Sequence, residues 1–153
     1  MANPAAPGKK KAPKKIGLRK LRAEQVAKLA WSYVDDGNPK DALPLLQMAV
    51  ELEPNNDEYW AALGMAHARA LQPSQAIQAF ERALSLRPDS PQSIDLWCSV
   101  GELSLDRFDY KLAAQALSKC LALDPEAAHP SGVRARALIR KAQKQLEKQL
   151  AGR

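Results

Sequence analysis

The sequence predicts an all-α chain, three stacked helical hairpins closed by a seventh, amphipathic helix. Three features carry that prediction. A pattern of large and small residues recurs three times between Val26 and Pro125. A proline follows each copy, at Pro54, Pro88 and Pro125. From Ser131 onward the apolar residues fall on one side of a helical wheel and the basic ones on the other.

The middle copy is the clearest: Trp60, Leu63, Gly64, His67, Ala76, Phe80, Ala83 and Pro88. Thirty-four residues earlier stand Val26, Leu29, Ala30, Tyr33, Ala42, Leu46, Ala49 and Pro54. Thirty-seven later stand Trp97, Val100, Gly101, Ser104, Ala113, Leu117, Cys120 and Pro125. Large apolar residues three and four apart place one stripe on each of two short helices per copy. Ala and Gly recur where two helix backbones must approach closely. Gly64 and Gly101 each cost about 1 kcal/mol against Ala inside a helix, so packing has to require them.

The elements follow in order. Helices are expected over 23–36, 39–52, 57–70, 73–86, 91–106, 109–122 and 131–150. Asn38-Pro39 and Ser90-Pro91 read as a capping residue followed by the first helical position. Pro44 falls inside the second helix and should kink it. The third copy carries three extra residues, Pro91 to Ser93, close to one helical turn, so its first helix should be longer and keep its phase. In the last helix Ala135, Leu138, Ile139, Ala142, Leu146 and Leu150 oppose Arg134, Arg136, Arg140, Lys141, Lys144 and Lys148. A stack of repeats leaves an apolar end, and such a helix covers it.

This pattern resembles the tetratricopeptide repeat (TPR) family over residues 23–127, in units 23–56, 57–90 and 91–127, followed by a capping segment at 128–153. The resemblance implies a right-handed superhelical stack whose first helices line a concave groove. It also implies that the groove holds an extended or helical segment of another protein. By repeat position the groove residues are Glu24, Ala27, Trp31, Val34 and Asp35 in the first unit. The second unit supplies Glu58, Ala61, Met65, Ala68 and Arg69, and the third Asp95, Cys98, Glu102, Leu105 and Asp106. Some family members grip a terminal carboxylate with Lys and Asn at these slots. Here Ala27, Ala61 and Trp31 stand instead, against that specificity. An apolar floor of Trp31, Met65 and Leu105 with an acidic rim favours a neutral or basic segment bearing apolar anchors.

Composition narrows the function classes. The 153 residues and a 46% hydrophobic share suit one compact domain. The formal net charge of +6 is segregated: residues 1–23 hold eight Lys/Arg and no acid, and residues 24–127 hold eight against sixteen Asp/Glu. Residues 128–153 hold seven Lys/Arg and only Glu147. The body is acidic and the ends are basic. The first 22 residues, Lys-, Pro- and Ala-rich, read as a disordered tail. No long apolar run or secretory signal is visible, and two isolated cysteines suit a reducing compartment, so the cytoplasm is the expected location.

Catalytic chemistry finds no pattern. His67 takes a core slot of the repeat and His129 stands alone before the last helix, without metal-ligand spacing. Cys120 occupies a small-residue core slot, and Cys98 has no His partner at a recognisable spacing. No phosphate-binding glycine loop, cofactor or metal is expected. The leading expectation is therefore a non-catalytic adaptor or chaperone. Chain size also resembles the three-repeat chaperones of bacterial type III secretion. A separate class is contact with polyanions such as nucleic acid through the basic ends. Without aromatics among those lysines, that contact would be non-specific.

Overall fold

The computed structural model describes residues 15–153, and over these the chain is helical throughout, with seven helices and no strand. They are α1 (Lys15–Asp35), α2 (Pro39–Leu52), α3 (Asp57–Arg69), α4 (Pro73–Leu86), α5 (Pro91–Asp106), α6 (Tyr110–Leu123) and α7 (Pro130–Ala151). Antiparallel hairpins α1–α2, α3–α4 and α5–α6 stack in chain order, and α7 lies against both α5 and α6. The expected stack and its closing helix are both present.

One boundary is corrected. Helix α1 starts at Lys15, not at 23, so the last eight residues of the expected 22-residue tail are helical. Leu, Lys and Arg in that stretch are good helix formers, and their charge had grouped them with the Lys-rich start. Arg19 to Arg22 are exposed, and Ala23, which follows them, is fully buried. The disorder expected for residues 1–14 lies outside the described residues.

The small positions do the work the pattern assigns them. A Cβ on Gly64 would lie 2.5 Å from the Phe80 ring, and one on Gly101 would lie 2.6 Å from the end of Leu117. In the first unit the equivalent pair is Ala30 against Leu46, both fully buried. Each hairpin thus closes by a small residue of its first helix receiving a large one from its second. Ala76, Ala83 and Ala113 are buried in the same seams.

Capping is more varied than the sequence implied. Asn56 accepts from the backbone N–H groups of Glu58 (3.1 Å) and Tyr59 (3.4 Å), and Asp109 accepts from Leu112 (3.1 Å). Asn38 and Ser90 do precede a first-position proline, yet neither caps with its side chain. Helix α2 runs through Pro44 as one element; the proline is exposed and removes the single backbone bond that position 44 would make to the Lys40 carbonyl. The insertion lengthens α5 to 16 residues, against 13 in α3. Between α6 and α7, buried Asp124 accepts from the N–H groups of Ala128 and His129, both at 3.0 Å. Gly132 is required beside it, because a Cβ there would collide with the Asp124 carboxylate.

The turn inside each hairpin needs one residue at positive φ. Gly37 supplies it in the first unit (φ 79°), but Leu71 (60°) and Phe108 (61°) hold the same place in the others. A left-handed conformation costs an L-residue about 1–2 kcal/mol. Leu71 is 88% exposed, so its side chain offsets little of that strain. Leu71→Gly is therefore expected to stabilise the fold by about 0.5–1 kcal/mol, once glycine's larger unfolded-state entropy is subtracted. A raised midpoint in chemical denaturation checks it.

Candidate functional site

The first helices α1, α3 and α5 form one wall of the stack, and between them opens a groove in two connected sections. The upper section, about 420 Å³, is bounded by Trp31 of α1, Tyr59, Ala61, Ala62 and Met65 of α3, and Asp95 and Leu96 of α5. The lower, about 280 Å³, continues past Met65 to Ala68, Arg69, Glu102 and Asp106. Met65 lines both sections and is exposed, so it stands at the centre of the groove. A further concavity of about 490 Å³ lies at the inter-unit turn around Asn55, beside the Arg87–Asp57 ion pair (3.4 Å). Its walls are turn backbone and polar side chains, with no apolar anchor.

Of the expected groove residues, Glu24, Ala27, Asp35, Val34, Cys98 and Leu105 line neither section, and the last three are buried in the core. Val34 is buried with Ala62, Leu63 and Ala66 between α1 and α3. Cys98 and Leu105 are buried with Ala135 and Ala142, under α7. The reason is common to all three. These repeat positions face the first helix of the next unit, and α7 takes the place of that helix for the third unit. Ala27 and Ala61 also sit at this seam and expose little. The apolar floor therefore consists of Trp31 and Met65 without Leu105. Trp31 is half-buried and packs on the first unit's core while still edging the groove.

The groove gains residues that repeat position alone did not indicate. Tyr59 and Leu96 occupy the same phase in successive units and add two bulky walls. Their signal was present as paired large residues outside the recurring signature. Gln92 arrives through the three-residue insertion, which has no counterpart in the other units.

Carboxylates set the electrostatics. Burial, followed by the charges of Glu53, Glu24 and Glu58, raises the Tyr59 hydroxyl above its ordinary pKa of 10.0. Asp106 is exposed where it lines the lower section, and Arg69 is the cation beside it. On the third unit the acids are engaged by α7. Arg134 pairs with Glu102 at 3.5 Å, and the Ser131 hydroxyl donates to Asp95. His129 Nδ1 stands 3.6 Å from Asp95 and accepts from the Ser131 N–H. Helix α7 thus fixes the groove's end as well as covering the core.

The thiols are placed against reactivity. Burial pushes the Cys120 thiol up to about 12, with Cys98 nearby adding to the shift, and burial raises Cys98 as well. Among the described residues no group of three or more His, Cys, Asp or Glu is arranged to hold a metal ion. No helix there is long and apolar enough to cross a membrane. His67 is half-buried, its Nδ1 2.7 Å from Gln72 Oε1 across the turn.

Family models described as tetratricopeptide repeat match residues 27–91 and 94–126, together most of the chain. The chain belongs to the tetratricopeptide repeat family. No curated protein matches it. Among solved structures it is similar to MamA (residues 41 to end) from Desulfovibrio magneticus RS-1, at 26% identity and a TM-score of 0.72, covering 83% of this chain and 67% of that one. It is similar to the Yersinia enterocolitica type III secretion chaperone SycD, in complex with a peptide of the translocator YopD, at 19% identity and a TM-score of 0.69, covering 82% and 93%. It is also similar to the first TPR of Spaghetti (RPAP3), bound to the HSP90 peptide SRMEEVD, at 16% identity and a TM-score of 0.71, covering 84% and 95%. The repeat units of this TPR chain place Trp60 and Trp97 alike, both half-buried. Trp60 Nε1 donates to the Pro54 carbonyl (2.8 Å), and Lys119 lies 4.2 Å from the centroid of the Trp97 ring.

Proposed function

We propose that the groove between α1, α3 and α5 holds a segment of a partner protein, and that the chain acts as a non-catalytic adaptor or chaperone. The carrying observation is Met65, exposed at the junction of both groove sections, with Trp31 beside it and small Ala61 and Ala68 leaving room. A flexible thioether and an aromatic edge suit apolar anchors of varied shape. Glu24, Glu58 and Asp106 around them favour a neutral or basic segment. The peptide complexes of SycD and Spaghetti, which share this fold, support the use of such a surface for a segment. The HSP90 peptide ends in acidic residues, and Ala27, Ala61 and Trp31 offer this groove no equivalent cationic grip. Two buried thiols with raised pKa fit a reducing compartment such as the cytoplasm.

Site-specific photo-crosslinking tests the location. A photoreactive residue at Met65 is expected to capture the partner, whereas one at exposed Gln78, on the second helix of the same unit, is not. Capture at Gln78 with none at Met65, or equal capture at both, would place the partner outside the groove.

A further inference from the structure

The two ends of the stack differ. The third unit is covered by α7, whereas among the described residues no helix packs on the far side of the first unit. Leu29 takes the repeat position of Leu63 and Val100, yet it is 50% exposed where those two are 3% and 0%. In the second and third units this position packs on the preceding hairpin, as Leu63 does in the first core cluster. In α1 the same side of the helix carries Leu21, Leu29 and Tyr33, all exposed. On α2, Met48 is exposed one turn from Leu45. Ala79, the α4 counterpart of Leu45, packs into the cluster of the preceding unit; Leu45 itself stays half-buried against that cluster, which leaves Met48 as the exposed apolar residue of α2.

From these contacts we infer that this open end pairs with a second copy of the chain, α1 lying antiparallel on α1 of that copy. The charges select the occupant and the direction. On the exposed side of α1 the first half carries Arg19 and Arg22; just past its far end, in the turn, stands Asp36, and Asp41 follows in the first turn of α2. An antiparallel register centred between Ala27 and Lys28 sets Arg19 against Asp36, Arg22 against Tyr33 and Val26 against Leu29. Two-fold symmetry repeats each pair, so one face is complementary to itself. A parallel arrangement would instead bring like charges together. Arg19 and Arg22, on the stretch of α1 that precedes Ala23, supply the basic half of the pairing. This surface is separate from the groove and does not depend on its function.

Sedimentation of the full chain tests the inference. Wild type is expected to dimerise reversibly, and Leu29→Glu to be monomeric with an unchanged helical circular dichroism spectrum. A charge exchange gives the sharper readout and does not rely on one apolar substitution. The Arg19→Glu/Arg22→Glu and Asp36→Lys/Asp41→Lys proteins should each be monomeric alone and form a heterodimer when mixed. Met65→Glu should leave pairing intact. The inference is overturned if wild type is monomeric at every concentration, if Leu29→Glu pairs as wild type does, or if the mixed charge variants stay apart. A dimer that appears only after residues 1–14 are deleted also overturns it, because the chain's own N-terminal segment would then be the cover.

Discussion

Phe80→Ala is expected to lower the unfolding free energy by about 3–5 kcal/mol, among the largest single-residue losses in this fold. Phe80 is the largest fully buried side chain, and its ring fills the hollow opposite Gly64. Truncation empties a site that α3 cannot close, since Gly64 has no side chain to move inward. The ring also belongs to the cluster that joins α4 to Val100 of α5 and Ala116 of α6, so the loss reaches the next unit. Trp60, by contrast, is only half-buried, and its truncation should cost less despite its size. Chemical denaturation of both variants orders them. If Trp60→Ala proves the more damaging, the seam between α3 and α4 is not the main support of the middle unit.

Removal of α7 has the second largest expected effect. A chain ending at Pro130 uncovers Cys98, Leu105, Leu117 and Cys120, which α7 now buries through Ala135 and Ala142, backed by Leu138 and Ile139. It also frees Glu102 and Asp95 from Arg134 and Ser131, leaving two carboxylates beside newly exposed apolar surface. The product should bind a hydrophobic dye, aggregate and lose helix beyond the 22 residues of α7 itself. Circular dichroism and dye fluorescence measure both. A soluble truncation that keeps the remaining helices intact would contradict the capping role and free the basic face of α7 for another one.

Much of this fold was legible because each hairpin repeats the same steric problem. Opposed small and large residues such as Gly64 and Phe80 are visible in sequence, and three registers of them fix helix order and pairing. The groove was less legible, for two physical reasons. Position within a helix says which direction a side chain points but not what lies there, so Val34, Cys98 and Leu105 pointed at neighbouring helices instead of open space. The identity of α7 as the helix that closes the third unit decided the fate of Cys98 and Leu105. Tyr59 and Leu96 went unassigned because nothing in the recurring pattern required them. The extension of α1 to Lys15 was hidden by its charge, which reads the same in a tail as on a solvated helix.

Isothermal calorimetry of Met65 variants against the captured partner decides whether Met65 and its surroundings bind a segment. Met65 is the cleaner probe than Trp31, because Trp31 also packs on the first unit's core and its loss would disturb the fold. Met65→Glu places a fifth carboxylate among Glu58, Glu102, Asp95 and Asp106 and removes an apolar contact. Anchors of this kind dominate the energetics of segment binding. Affinity should weaken more than about tenfold, a loss above about 1.4 kcal/mol, with an unchanged melting temperature. Wild-type affinity in a normally folded Met65→Glu protein would contradict it.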